Sequence, residues 1–106
     1  EMIRPALYEA WMPILPIKKL PEIKECCYDI VGPVCESSDW LGKERTLKTA
    51  PGQCLAIAVA GAYGMSMSSN YNSRAQIAEI LVDGNKHFVI RRRQNIEDTW
   101  QQERLL

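Results

Sequence analysis

Ile77-Ala78-Glu79-Ile80-Leu81-Val82, Asp83-Gly84-Asn85-Lys86 and His87-Phe88-Val89-Ile90-Arg91 follow one another near the end of the chain, and their reading decides the fold class. Two short runs rich in β-branched and aromatic residues flank a Gly-Asn turn, which is the strongest short-range signal for a β-hairpin. Upstream, Lys24–Val31 alternates with period two and stops at Gly32-Pro33, so a second strand is expected there. The polar run Val34-Cys35-Glu36-Ser37-Ser38-Asp39 then reads as a loop. Lys43–Lys48 is a charged stretch ahead of the Pro51-Gly52 turn. Gln53–Ala60 is nearly continuous apolar, the pattern of a strand buried on both faces and the expected centre of the core.

The flanks are less regular. Residues 1–23 carry Pro5, Pro13, Pro16 and Pro21 and read as an irregular Pro-rich arm with room for one helical turn, Ala6 to Trp11. Gly61 to Asn72 is rich in small and hydroxyl residues yet holds Tyr63 and Tyr71, a composition suited to a binding surface. Near the end, Asn95 can cap a short helix whose first turn holds Glu97 and Asp98, with Ile96 and Trp100 on one face. The sum is a single, mainly β domain over 1–106, with about four strands and short helices at its edges.

Composition narrows the partners. The 106 residues hold 13 Lys plus Arg against 13 Asp plus Glu, and zero net charge argues against electrostatic binding of nucleic acid or an anionic membrane. The apolar run Cys54–Ala62 is far shorter than the roughly 20 residues of a membrane-spanning helix, and the opening residues show no secretory signal. Cys26, Cys27, Cys35 and Cys54 lack the paired spacing of a zinc site, and His87 is the single histidine; no metal is expected. Adjacent Cys26 and Cys27 point to opposite faces of a strand, so a mutual bridge is disfavoured and a core place for one of them is ordinary. Reduced thiols and a cytoplasmic location are the corresponding expectation.

Several residues could carry chemistry. Cys35 beside Glu36 and Asp39 forms a compact acidic and nucleophilic loop, or a plain solvated turn. Arg4 and Tyr8, four apart on a helical turn, could offer a guanidinium fork and a phenol to a carboxylate, or could be a surface arginine over a packed ring. Tyr63, between Ala62 and Gly64, has small neighbours that permit close approach of a backbone or a phosphate. Arg91-Arg92-Arg93 reads as a solvated face, because alternate strand residues point to opposite sides. Met65 and Met67 read as gap-filling side chains, and His87 as an exposed hairpin residue.

Taken in order, Arg4-Pro5-Ala6-Leu7-Tyr8-Glu9-Ala10, Val31-Gly32-Pro33-Val34-Cys35-Glu36-Ser37-Ser38-Asp39, Gly61-Ala62-Tyr63-Gly64 with Ser66–Asn72, and Ile90-Arg91-Arg92-Arg93 resemble the C-terminal part of the diaminopimelate decarboxylases. This is a family of fold-type III enzymes dependent on pyridoxal 5'-phosphate. The resemblance implies a C-terminal β-sandwich or barrel-like domain, incomplete in this chain, whose partner α/β barrel with the cofactor-binding lysine lies elsewhere. It implies that Arg4 and Tyr8 contact the distal carboxylate of meso-diaminopimelate. It also implies that Cys35 and Glu36 reach into the active site of a homodimer partner, Cys35 as proton donor and Glu36 as reader of the distal ammonium. By the same likeness Tyr63 touches cofactor phosphate or substrate, and Tyr71 packs nearby. Relatives acting on ornithine-like amines carry Cys-Asp where this chain has Cys35-Glu36, so the resemblance favours diaminopimelate. Many members have His in place of Trp11 and Gly in place of Ser38, and a Gly there would matter if that position required positive φ. Competing expectations are a non-catalytic decarboxylase-like interaction module and a fragment of an ornithine- or arginine-type decarboxylase.

Overall fold

The structure, a computed structural model, describes residues 4–104. It is mainly strand with a few short helices, and the chain divides into two compact units, Glu1–Met67 and Ser68–Leu106.

In the first unit the Pro-rich segment holds helix α1 (Arg4–Tyr8) and strand β1 (Ile14–Pro16), followed by β2 (Cys26–Val31), β3 (Trp40–Leu47), β4 (Leu55–Ile57) and the short helix α2 (Gly61–Gly64). Helix α1 ends earlier than its sequence suggests, because Glu9 turns the chain with φ 52. Strands β2 and β3 form one antiparallel pair, β1 and β4 another. Both α1 and β1 pack on β3.

Strand β3 is the element that the charged stretch Lys43–Lys48 concealed. Its pairing with β2 runs Tyr28 to Arg45 and then Ile30 to Gly42, so two residues of β3 oppose Asp29. This bulge takes Glu44 to φ 52, and its N–H donates to Asp29 Oδ1 at 2.8 Å. The extra residue puts Gly42 and Arg45, three apart, among the buried residues with Leu47. A period-two pattern is therefore broken where the strand is most buried.

The core lies around β3. Met12 is 1% exposed and Ile14 5%, with Pro5 and Leu47 beside them among the buried residues. Arg45, 9% exposed, stacks its guanidinium on the Trp11 ring at 4.4 Å from the centroid. A Cβ on Gly42 would stand 2.6 Å from Arg45 Nε and 2.8 Å from Ile14 Cδ1. Only a bare Cα leaves room for both side chains.

The apolar run Gln53–Ala60 is not the core centre. Only Leu55–Ile57 is strand, paired with the three-residue β1, and Ala56 is exposed. The ladder ends with Ala58 N–H donating to Pro13 O at 2.9 Å, after which Val59 adopts φ 59. Cys26 and Cys27 are likewise both exposed, which corrects the expected core place for one of them. Within β2 only Tyr28 and Ile30 are half-buried.

The second unit contains the hairpin read from the sequence, β5 (Glu79–Asp83) and β6 (Lys86–Arg91), in register from Ile80–Val89 to Asp83–Lys86. Gly84 sits at φ 59 in the first central position of the two-residue turn, where glycine is strongly favoured. His87 is exposed as expected. All three residues of the arginine run are exposed, as expected of a solvated face, and two of them are ion-paired there: Arg91 with Glu79, and Arg92 with both oxygens of Asp98 at 2.6 and 2.7 Å. The expected helix after Asn95 is a 3₁₀ turn, Ile96–Thr99. The Asn95 N–H donates to Asp98 Oδ2 at 2.7 Å. Gln94 Oε1 accepts from Gln76 N–H and Asn70 Nδ2 at 2.9 and 2.6 Å, which ties the segment after β6 to the one before β5.

Two outcomes follow from these local arrangements. The Arg92 hydrogen bond first, and the Asn95 N–H second, hold the Asp98 carboxyl at about 2 against an ordinary 3.8. The folded value is the lower one, so the stability it contributes is present above about pH 4 and lost as pH falls through about 2. An NMR titration of Asp98 should have its midpoint near 2, with Ile96–Thr99 fraying in the same window; a midpoint near the ordinary value would refute the assignment. Val59 is exposed and β-branched at positive φ, so Val59→Gly should raise unfolding stability by about 1 kcal/mol in a denaturant titration. A loss of stability would show that the backbone there is not strained.

Candidate active site

Arg4, Tyr8, Cys35, Glu36 and Tyr63 lie in the first unit on three separate pieces of chain. Arg4 begins α1, and its side chain lies outside the described residues. Tyr8 ends the same helix with 68% of its surface exposed. Helix α1 rests on β3, which gives the phenol a fixed base and an open front.

Cys35 and Glu36 lie in the loop between β2 and β3, and both are exposed. The loop is closed by Asp39. Its carbonyl accepts the Gly32 N–H at 2.8 Å, its N–H donates to Glu36 O at 3.0 Å, and its Oδ2 accepts the Val34 N–H at 2.9 Å. Trp40 N–H adds a bond to Ser38 O at 2.9 Å. The thiol and carboxylate are therefore carried on a closed backbone loop. Sequence reading treated Asp39 only as a neighbouring acid. The signal for its other role was an Asp at the end of a polar loop that opens on glycine, a setting in which a short carboxylate bonds nearby backbone N–H groups. Ser38 is not among the residues with positive φ, so serine at this position carries no left-handed strain.

Tyr63 lies in α2. The Gly64 and Tyr63 N–H groups both bond Ala60 O, at 2.6 and 3.3 Å, and Met67 N–H continues to Tyr63 O at 3.1 Å. Tyr63 is 49% exposed. A half-exposed tyrosine carries a phenol O–H, a donor of the kind a phosphate oxygen or a substrate polar group accepts, which is the fit required of a residue that touches pyridoxal phosphate. Tyr71, in a 3₁₀ turn of the second unit, is also partly exposed. Lys18, Lys19, Lys24, Lys43, Lys48 and Lys86 lie outside the segments that carry Tyr8, Cys35, Glu36 and Tyr63, and Lys43 is stacked over the Trp40 ring at 4.8 Å.

Among the described residues no group of three or more His, Cys, Asp or Glu could hold a metal ion, and all four cysteines are free thiols. No helix among them is long and apolar enough to cross a membrane.

Comparison with known proteins supplies the family. Residues 1–61, more than half of the chain, match the sequence model described as pyridoxal-dependent decarboxylase, C-terminal sheet domain. Diaminopimelate decarboxylase of Haemophilus influenzae is 57% identical over 100 residues, which are 94% of this chain and 24% of that protein. The crystal structure of diaminopimelate decarboxylase from M. jannaschi superposes with a TM-score of 0.90 at 38% identity, over 99% of this chain and 24% of that one. The Helicobacter pylori enzyme, crystallised with L-lysine, does so with a TM-score of 0.85 at 42% identity, over 95% of this chain and 25% of its own. The chain thus spans about a quarter of the length of the relatives it matches. A β-rich fold, a loop that presents a thiol beside a carboxylate, and a match covering the first 61 residues agree on one conclusion: the chain belongs to the pyridoxal-dependent decarboxylases, as their C-terminal sheet domain.

Proposed function

We propose that residues 1–106 form a single β-rich C-terminal domain of an enzyme that converts meso-diaminopimelate to L-lysine and carbon dioxide. The carrying observation is the 57% identity to a diaminopimelate decarboxylase over 94% of the chain. The Cys35-Glu36 pair supports it at the level of residues. In this reading the cofactor lysine and its α/β barrel lie outside the chain, the working unit is a homodimer with shared active sites, and the location is cytoplasmic.

Pyridoxal phosphate, when bound, supplies an electron sink for the carbon that loses its carboxylate. Each residue of this chain then has a task set by its chemistry. The Arg4 fork and the Tyr8 phenol bind the distal carboxylate of the substrate, the guanidinium through two parallel N–H bonds. Glu36 accepts from the distal ammonium, and this pairing orients the substrate by the end that does not react. Cys35, one residue away, delivers its Sγ proton to the reacting carbon as general acid in the partner subunit's site. Tyr63 donates its phenol O–H to a phosphate or substrate oxygen. The retained thiol and carboxylate favour this reading over a docking module without catalytic duties, since docking needs neither group. Glu36 in place of aspartate favours it over an ornithine-type enzyme.

Two experiments test the proposal. The 106-residue chain, given pyridoxal phosphate and meso-diaminopimelate, should yield no lysine by amino-acid analysis, whereas the full-length enzyme carrying it should; turnover by the chain alone would overturn the placement of the cofactor lysine. In the full-length enzyme, Cys35→Ala should lower kcat by about 100-fold or more. Glu36→Asp, which shortens the reach by one methylene, should lower kcat/KM for diaminopimelate by about tenfold. Wild-type kinetics in both variants would exclude the roles assigned to the pair.

A further inference from the structure

The loop between β2 and β3 spans the eight residues Gly32–Asp39 and has no regular structure of its own. Three hydrogen bonds close it, and Asp39 is a partner in each: through its carbonyl to Gly32, through its N–H to Glu36, and through Oδ2 to Val34. The carboxylate bond falls on the residue immediately before Cys35, and the N–H bond falls on Glu36 itself. Cys35 and Glu36 are thus bracketed by two bonds from one side chain and its backbone.

Space around the carboxylate is as specific as its bonds. A Cβ built on Gly32 would overlap both Asp39 carboxylate oxygens and the carbon between them. Gly32 is not at positive φ, so glycine is required there by volume and not by backbone conformation. Any side chain at position 32 would expel the carboxylate from its place above the loop. Gly32 and Asp39 therefore act as one device, a carboxylate seated against a bare Cα.

We propose that Asp39 is a positioning residue for Cys35 and Glu36, holding the loop that carries them through its bond to the Val34 N–H, with Gly32 providing its seat. The inference deepens the decarboxylase reading and rests on it for the catalytic consequence. The structural part stands on the hydrogen bonds alone. What matters is an acceptor at that point, not the negative charge, so a neutral amide of the same shape should serve.

The test uses the full-length enzyme that carries this chain, with Asp39→Ala, Asp39→Asn and Gly32→Ala variants, read by hydrogen exchange and by kinetics. Removing one such bond should speed amide exchange in the Gly32–Asp39 peptide by about tenfold or more in Asp39→Ala and Gly32→Ala. The peptides of β2 and β3 should keep their wild-type protection. The same two variants should lose at least about tenfold in kcat/KM, because small displacements of reacting groups are costly; Asp39→Asn should stay near wild type in both measurements. Unchanged loop exchange in Asp39→Ala would overturn the proposal. So would equal damage in Asp39→Asn, or opening of β2 and β3 together with the loop. If the unmutated enzyme forms no lysine, the functional reading fails, and the exchange data still decide whether Asp39 holds the loop.

Discussion

Arg45 lies in a slot between the indole of Trp11 and the bare Cα of Gly42, and the first unit is arranged around that fit. A guanidinium that is nine-tenths buried loses most of its hydration, and its Nε has no hydrogen-bond partner. Stacking on an aromatic face returns part of that cost, about 0.5–2 kcal/mol for such pairs. The arrangement demands glycine at 42, because a Cβ would push against both Arg45 and Ile14. It also demands the bulge opposite Asp29, because a regular ladder would not bring residues 42 and 45 together into the buried set. Trp11 in turn follows the turn at Glu9, so the chain leaving α1 is held to β3 by this contact.

The consequences reach the proposed site through β3. Its first residue, Trp40, follows directly on Asp39, so the loop of Cys35 and Glu36 is anchored on the strand that holds Arg45. Helix α1, with Tyr8 at its end, rests on the same strand. A rigid element that supports both pieces places chemistry on loops without leaving its geometry to the loops themselves, the usual division between scaffold and site. Residues outside the proposed site can thereby affect the groups within it.

What the sequence made legible follows from how local each signal was. The β5–β6 hairpin was readable because the turn residues and both strands lie within fifteen positions, and Gly84 supplies the positive φ that the turn needs. The Gly32–Asp39 loop was readable for the same reason. Strand β3 was not, since its burial pattern depends on a bulge whose position is fixed by Asp29 on another strand, and its charged residues disguised it. Gln53–Ala60 misled in the opposite direction. Its apolar content is real, but the partner strand β1 has only three residues and the backbone reverses at Val59, so the run gains too little pairing to form a central strand. The residues of the proposed site were visible as types and order, while the pinning of the loop by Asp39 required coordinates, because Gly32 and Asp39 are seven positions apart and meet only when the loop closes.

The exposure of the proposed contacts bears on how such a site becomes selective. Tyr8, Cys35 and Glu36 all face outward in this chain. Two unit charges about 4 Å apart attract by only about 1 kcal/mol in water, but by about 4 kcal/mol at the effective dielectric of a partly enclosed protein site. Glu36 facing an ammonium in open solvent would discriminate weakly between diamines of different length. The same carboxylate covered by a second surface would discriminate by a factor of hundreds, since about 1.4 kcal/mol is tenfold. In the proposed reaction, enclosure would also keep a proton delivered from the Cys35 thiol from exchanging with water first. A domain that presents a thiol, a carboxylate and a phenol on its outer surface, on elements braced by β3 or by the closed loop, fits the proposed reading as one half of an enclosed site, and in that reading selectivity would depend on the surface that closes over it.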